Sequence, residues 1–161
     1  MLIVLVGLLA LGAGVVGGVF FAFSSFVFKA LAELEPSAGI AAMQRINVVV
    51  LRPLFLGVFI GTAVLSVVCG VWAMLRWRTG SALVVDSAVS YCLGAFGVTL
   101  AFNVPRNERL ATLVPASAEA QAYWAIYVRQ WALWNHVRTV ASVAAAALAG
   151  AALASLPSNG A

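Results

Sequence analysis

Charge is what this sequence has least of. Only 9% of its 161 residues are Asp, Glu, Lys or Arg, where a soluble domain carries about a quarter, so water cannot be the solvent of most of its surface. Lysine and histidine occur once each, as Lys29 and His136, and there is no run of basic residues. The electrostatic footprint of a nucleic-acid binder is therefore missing, although the net charge is +4. The two cysteines, Cys69 and Cys92, lie inside apolar runs and match no zinc, haem-attachment or CxxC redox spacing. A single histidine excludes a bis-histidine haem within one chain, and no group of His, Cys or paired carboxylates has metal-ligand spacing. Neither a metal nor a cofactor is expected. Gly-rich phosphate loops and the residue order of a Ser/His/Asp triad are also lacking.

What is present is apolar. Hydrophobic residues make up 64% of the chain, and they fall into four stretches long enough to cross a bilayer, which needs about 20 residues of helix. The expected fold is all-α, a single antiparallel four-helix membrane domain over residues 1–161. The first 28 residues carry no charged side chain and give a span over about 3–28. A cleaved signal peptide is disfavoured, because no basic segment precedes the apolar stretch and that stretch is too long. The second span, about 53–75, opens at Pro53, whose fixed φ suits a first helical turn and would kink a helix running through it. Residues 37–51 are therefore expected to form a separate interfacial helix, with Ser37 as its N-cap. Arg76-Trp77-Arg78-Thr79-Gly80 reads as a tight turn into a third span, about 81–102, which Asn103-Val104-Pro105 should end. The last helix starts near Ser117 and stays apolar to Leu156, about twice the bilayer core in length. Its part before Trp131, about 117–130, should project past a span at about 131–156, with Pro157 and Ser158-Asn159-Gly160 finishing the chain. Small residues recur at helical spacing, Gly7, Ala10, Gly14 and Gly17 on the first helix and Ser87, Ser90, Gly94, Gly97 and Ala101 on the third. Such stripes let backbones pack closely in lipid.

Antiparallel spans bring nearly all polar residues to one end. That end holds Lys29, Arg45, Arg52, Arg106, Arg109, Arg129 and Arg138, all four Glu, His136, and Asn47, Asn103, Asn107 and Asn135, whereas the other has only Arg76, Arg78 and Asp86 as charges. The bias of basic residues places the polar end in the cytoplasm. Arg45, Arg109 and Arg129 read as headgroup contacts, and Asn47 and Asn103 serve equally as helix caps, inter-helix glue or ligand contacts. Trp131, Trp134, Asn135, Arg138 and Ser142 share one helical face, with His136 about 100° round from Asn135. The run Phe20-Phe21-Ala22-Phe23-Ser24-Ser25-Phe26 supplies an aromatic wall and two hydroxyls at the same depth, with Phe21, Phe23 and Ser24 as its candidate contacts. Polar groups in apolar helix must pair or face a cavity. A pocket of aromatic walls, one imidazole, fixed positive charge and amides suits a planar apolar molecule with a phenol or ketone oxygen.

Four ordered blocks, GGVFFAFSSFVFKAL, GIAAMQRINVVVLRPLF with GTA after it, NVPRNERLA and WAIYVRQWALWNHVR, resemble the anthrone oxygenase family of small four-helix membrane proteins. The resemblance runs from about Gly17 to Arg138 and implies cofactor-independent oxidation of an anthrone to an anthraquinone by O₂. Arg52 departs from it, standing before Pro53 where many relatives are expected to have Asn. On this reading His136 is the base, Arg138 and Asn135 stabilise the oxyanion, Trp131, Trp134, Phe21 and Phe23 stack the rings, and Ser24, Asn47, Arg52 and Asn103 contact substrate. Two rivals stand beside it: a non-catalytic membrane subunit or lipid-binding bundle, and a quinone-binding redox helper. The sequence leaves homo-oligomerisation open, and its Arg, Ala and Val skew hints at a GC-rich bacterial genome and an inner-membrane location.

Overall fold

The computed structural model describes residues 2–155; the expectations for Leu156, Pro157 and Ser158-Asn159-Gly160 lie outside them. Every regular element among the described residues is helical. Helix α1 spans Leu2–Glu33, α2 Pro36–Val49, α3 Pro53–Leu75, α4 Ser81–Ala111 and α5 Ala118–Ser155. All but α2 are long and apolar enough to cross a membrane. The chain is a multi-pass helical membrane protein, and its outer surface agrees. Val4, Leu11, Leu54, Val64, Leu93 and Val140 are all more than half exposed, which for a water-facing surface would be an aggregating one.

The helix boundaries follow local chemistry. Leu34 is extended, and Pro36 forces Glu35 out of the helical region, which breaks α1 from α2. The N-cap of α2 is Glu35, not the expected Ser37. Its carboxylate accepts from the Ser37 amide at 2.9 Å and from the Ser37 hydroxyl. That hydroxyl, chiefly, holds the Glu35 carboxyl below the ordinary carboxylate range. Pro53 sits in the first turn of α3 as its fixed φ requires. Between α3 and α4 Gly80 takes φ 84°, where a side chain would be strained. Ser117 caps α5, its hydroxyl accepting from the Ala120 amide.

One expectation fails at Pro105. Helix α4 does not stop at Asn103 but continues to Ala111. The turn before the proline, Thr99–Asn103, is π-helical, and Val104 donates back five residues to the Thr99 carbonyl. A wider turn relieves the clash that proline makes with the carbonyl four residues earlier. Two further π stretches occur, Phe23–Val27 in α1 and Ser90–Gly97 in α4.

These wider turns set which residues face inward. Four residues of α-helix turn about 400°, so a strict four-residue repeat drifts by about 40° per step. A turn closed by bonds to the fifth residue takes more residues, and mixing the two cancels the drift. In α4 the repeat Ser87, Tyr91, Ala95, Thr99 and Asn103 stays on the inner side: Ser87 donates to the Ala145 carbonyl, Tyr91 to the Phe59 carbonyl and Asn103 to the Trp131 carbonyl. Of the expected small-residue stripe on this helix, Ser87 and Gly94 meet α5, but Ala101 is exposed. A Cβ on Gly94 would collide with that of Ala141, and one on Gly17 would lie 3.2 Å from the Ser142 Cβ. Gly14 is exposed and Gly7 has nothing within 4 Å.

Helix α5 is the axis of the bundle. Its far end packs with Leu9, Cys69 and Val84, and its middle with Ala13, Phe59 and Tyr91. Its first turns join Phe28, Ile40, Met43 and Leu110 in an aromatic cluster at the polar end. At 1.5 Å per residue its 38 residues cover about 57 Å, so the helix extends well beyond a bilayer core of about 30 Å.

Candidate functional site

The inward stripe of α5 becomes polar halfway along the helix. Trp131, Asn135, Arg138, Thr139 and Ser142 are all buried, as residues four and seven apart on a helix must share a face. Arg138 is 5% exposed. It is the one buried charged residue in the described chain: every Asp, Glu and Lys, and His136, is exposed, Arg106 is half-buried and the other arginines are exposed. No carboxylate therefore neutralises it. Instead its Nη2 donates to Asn135 Oδ1 at 2.7 Å and its Nη1 to Thr99 Oγ1 at 3.3 Å. Phe20 and Trp131 face the guanidinium with Cζ 4.2 and 5.0 Å from their ring centroids. Its Nε has no partner.

The Asn135 amide is locked by a ring of hydrogen bonds. Its Nδ2 donates to the Phe20 carbonyl and to Ser24 Oγ, both at 2.8 Å. Thr139 uses its hydroxyl proton on the Asn135 carbonyl, 2.8 Å away. The proton of the 2.9 Å contact between Ser24 and Thr139 must then come from Ser24. Asn135, Ser24 and Thr139 thus form a closed circuit, with a fixed amide oxygen pointing at Arg138. One turn nearer the polar end the pattern is less complete. Asn103 is fully buried and donates through Nδ2 to the Trp131 carbonyl, while its Oδ1 has no partner; Asn47 Nδ2 is likewise unpartnered. Such buried polar atoms cost free energy unless something occupies them.

A fixed, poorly hydrated cation bordered by two aromatic rings, with no counter-ion of its own, favours a planar anion. Residues 54–148 match the family model described as anthrone oxygenase. The chain belongs to the anthrone oxygenase family. The match covers more than half of the chain and includes Thr99, Asn103 and the whole polar stripe of α5, whereas Phe20 and Ser24 come from the helix before it. Neither a curated protein nor a solved structure matches the chain significantly.

In this anthrone oxygenase family member the residues singled out from the sequence do not all converge. Arg138, Asn135, Trp131 and Ser24 do, and Asn103 lies one turn away. Phe23 packs on the outer side of Trp131 with ring centroids 5.7 Å apart. His136 does not join them. It is exposed, because each helical residue turns about 100° and a face that turns Asn135 and Arg138 inward turns His136 out. Phe21 is exposed for the same reason beside the inward Phe20. Trp134 lies half-buried on the flank, stacked on Phe102 at 3.5 Å between centroids. Arg52 is exposed in the α2–α3 turn, and Asn47 is half-buried towards the polar end. Thr99, not singled out before, and Phe20, named only as part of the aromatic run, touch Arg138 directly. Phe20 was masked within a run of phenylalanines, and Thr99 by the altered register of α4. Among the described residues no three His, Cys, Asp or Glu side chains gather in a metal-binding group.

Proposed function

We propose that this protein oxygenates a planar anthrone-type ketone without a cofactor, using Arg138 to hold the substrate oxygen as an oxyanion. The observation that carries the reading is a buried guanidinium with no buried carboxylate among the described residues. Anthrones are carbon acids: loss of a C–H proton gives a phenolate-like anion delocalised over three rings. At about 4 Å and an effective dielectric near 20, a cation stabilises such an anion by about 4 kcal/mol. That is about three pKa units on the substrate. Asn135 fixes the direction of the guanidinium, and Trp131 and Phe20 flank the rings.

The oxygen chemistry then belongs to the substrate. The anion passes an electron to O₂, the two radicals combine at the deprotonated carbon to a peroxide anion, that anion takes a proton back from water, and the hydroperoxide loses water, its C–H and O–O bonds breaking, to give the second ketone. Anthrone and O₂ become anthraquinone and H₂O. Among the described residues no imidazole or carboxylate is buried to take the first proton, so we assign that proton to water at the polar end and give His136 no role in the step.

The test is O₂ uptake by the purified protein with an anthrone, at one O₂ consumed per anthraquinone formed. Arg138→Met should lower it by about 10²- to 10³-fold, and Asp86→Asn, at the opposite end of the bundle, should leave it unchanged. The rival reading, a bundle whose polar residues only assemble helices, draws on the closed circuit of Asn135, Ser24 and Thr139. It predicts no uptake by any variant.

A further inference from the structure

We propose that Asn107 is a positioning residue for this site, holding the Trp131 ring against Arg138 through one amide oxygen. The proposal rests on the reading of Arg138 as the anion site. Asn107 lies on α4, beyond Pro105, and is not among the residues that touch the guanidinium. Its Oδ1 accepts from Trp131 Nε1 at 2.9 Å and from the Tyr127 hydroxyl at 2.8 Å. An amide oxygen has two lone pairs, and both are engaged. The two donors stand four residues apart on α5, so one acceptor on the neighbouring helix ties two successive aromatic rings.

The Trp131 ring held in this way is the ring that flanks Arg138. It also stacks on Phe28, with ring centroids 4.6 Å apart. Tyr127 is fully buried and Trp131 is 5% exposed, so neither donor has water to turn to. Removing the acceptor would strand two buried donors at once. The indole would turn towards another acceptor, uncover the guanidinium and let water in, which weakens the field that stabilises an anion there. A ring displaced by about 1 Å is enough to cost up to about 10²-fold in rate.

A merely structural asparagine would also stabilise the bundle, so the test must read the site itself. Asn107→Leu should lower turnover of an anthrone by roughly 10- to 100-fold, with a much smaller change in KM. It should also raise the pH at which a bound hydroxyanthraquinone ionises, seen as loss of its red-shifted phenolate band. In protein labelled with fluorotryptophan, the Trp131 resonance, assigned by its absence in Trp131→Phe, should move. Asn107→Asp, which offers the same two lone pairs, should leave that resonance in place. In a Trp131→Phe, Tyr127→Phe background both donors are gone, so Asn107→Leu should have no further effect on turnover or dye ionisation. Should Leu impair folding, Asn107→Ser, whose hydroxyl is too short to serve both donors, gives the same comparison. Equal losses in both backgrounds, or an unmoved Trp131 resonance, would overturn the proposal. A wild-type protein that neither binds the dye nor consumes O₂ would overturn the oxygenase reading and with it the positioning role. The fluorine spectrum would then still report separately whether Asn107 holds the ring.

Discussion

Replacing Arg138 with Met separates catalysis from folding more cleanly than any other single change. Methionine keeps the length of the side chain and much of its volume but removes the only buried charge among the described residues. On the stability side the loss is small. Asn135 Oδ1 is left without its donor, a cost of about 1–3 kcal/mol, and the contacts with the Phe20 and Trp131 rings weaken. Against this, the desolvation penalty of a buried guanidinium, of the order of several kcal/mol per ion, disappears. The two nearly cancel, so thermal unfolding in detergent should stay within a few degrees of the wild type. On the catalytic side nothing compensates. Loss of one oxyanion-stabilising group typically lowers kcat by about 10²- to 10³-fold, or about 3–4 kcal/mol, in line with the Coulombic figure for a cation about 4 Å from the anion. Arg138→Lys keeps the charge but cannot reach Asn135 and Thr99 together, so its activity should fall between the two. The assay is anthrone-dependent O₂ consumption alongside a melting curve. Full turnover by a well-folded Arg138→Met protein would refute the assignment of the anion site. Collapse of the fold would show that the arginine is structural.

Other outcomes follow from the same geometry. His136→Ala should change turnover by no more than about twofold, since it alters an exposed side chain, and the rate profile should lack an imidazole limb; a hundredfold loss would restore the base role. Gly94→Val should lower the unfolding temperature through a clash with Ala141 worth about 1–3 kcal/mol, whereas Gly7→Ala, with nothing within 4 Å, should not. The Glu35 carboxyl has a lowered pKa in the folded state, so its contribution is complete above the unfolded value and disappears as pH falls through the folded one. The protection of the Ser37 and Ala38 amides, relative to their intrinsic exchange rates, should fall as pH drops below 4.5, and Ser37→Ala should shift that onset upward.

The spans, the separate α2 and the N-terminal position of Pro53 were legible because they depend on run length and on the covalent geometry of proline. The convergence of Arg138, Asn135 and Trp131 was legible too, since residues four and seven apart on one helix must share a face. The side taken by His136 was harder to see. Spacing says it lies about 100° from Asn135, but only the packing of α1 and α4 on α5 decides which of the two turns inward. Glu35 displaced Ser37 as a cap because a carboxylate can accept from both the amide and the hydroxyl of the residue it caps. Thr99 was hidden by the assumption of a uniform α-helical period, which also ended the helix too early, at Asn103. Pro105, which should have ended the third helix, instead follows a π turn that makes room for it.

The π stretch at Ser90–Gly97 gives this helix an unusual relation to insertions and deletions. A wider turn is what remains when one residue is added to an α-helix without breaking it. Removing a single residue there would let the helix relax to the ordinary pitch and stay continuous. Everything beyond it, however, would rotate by about 100°, turning Thr99 and Asn103 away from α5 and taking Asn107 with them. The length of this one segment, to the residue, therefore sets the phase between the first part of α4, Ser81–Val89, and the part that carries Thr99, Asn103 and Asn107. A homologue shortened by one position there would keep its fold and its polar stripe on α5 while presenting a different wall to whatever Arg138 holds.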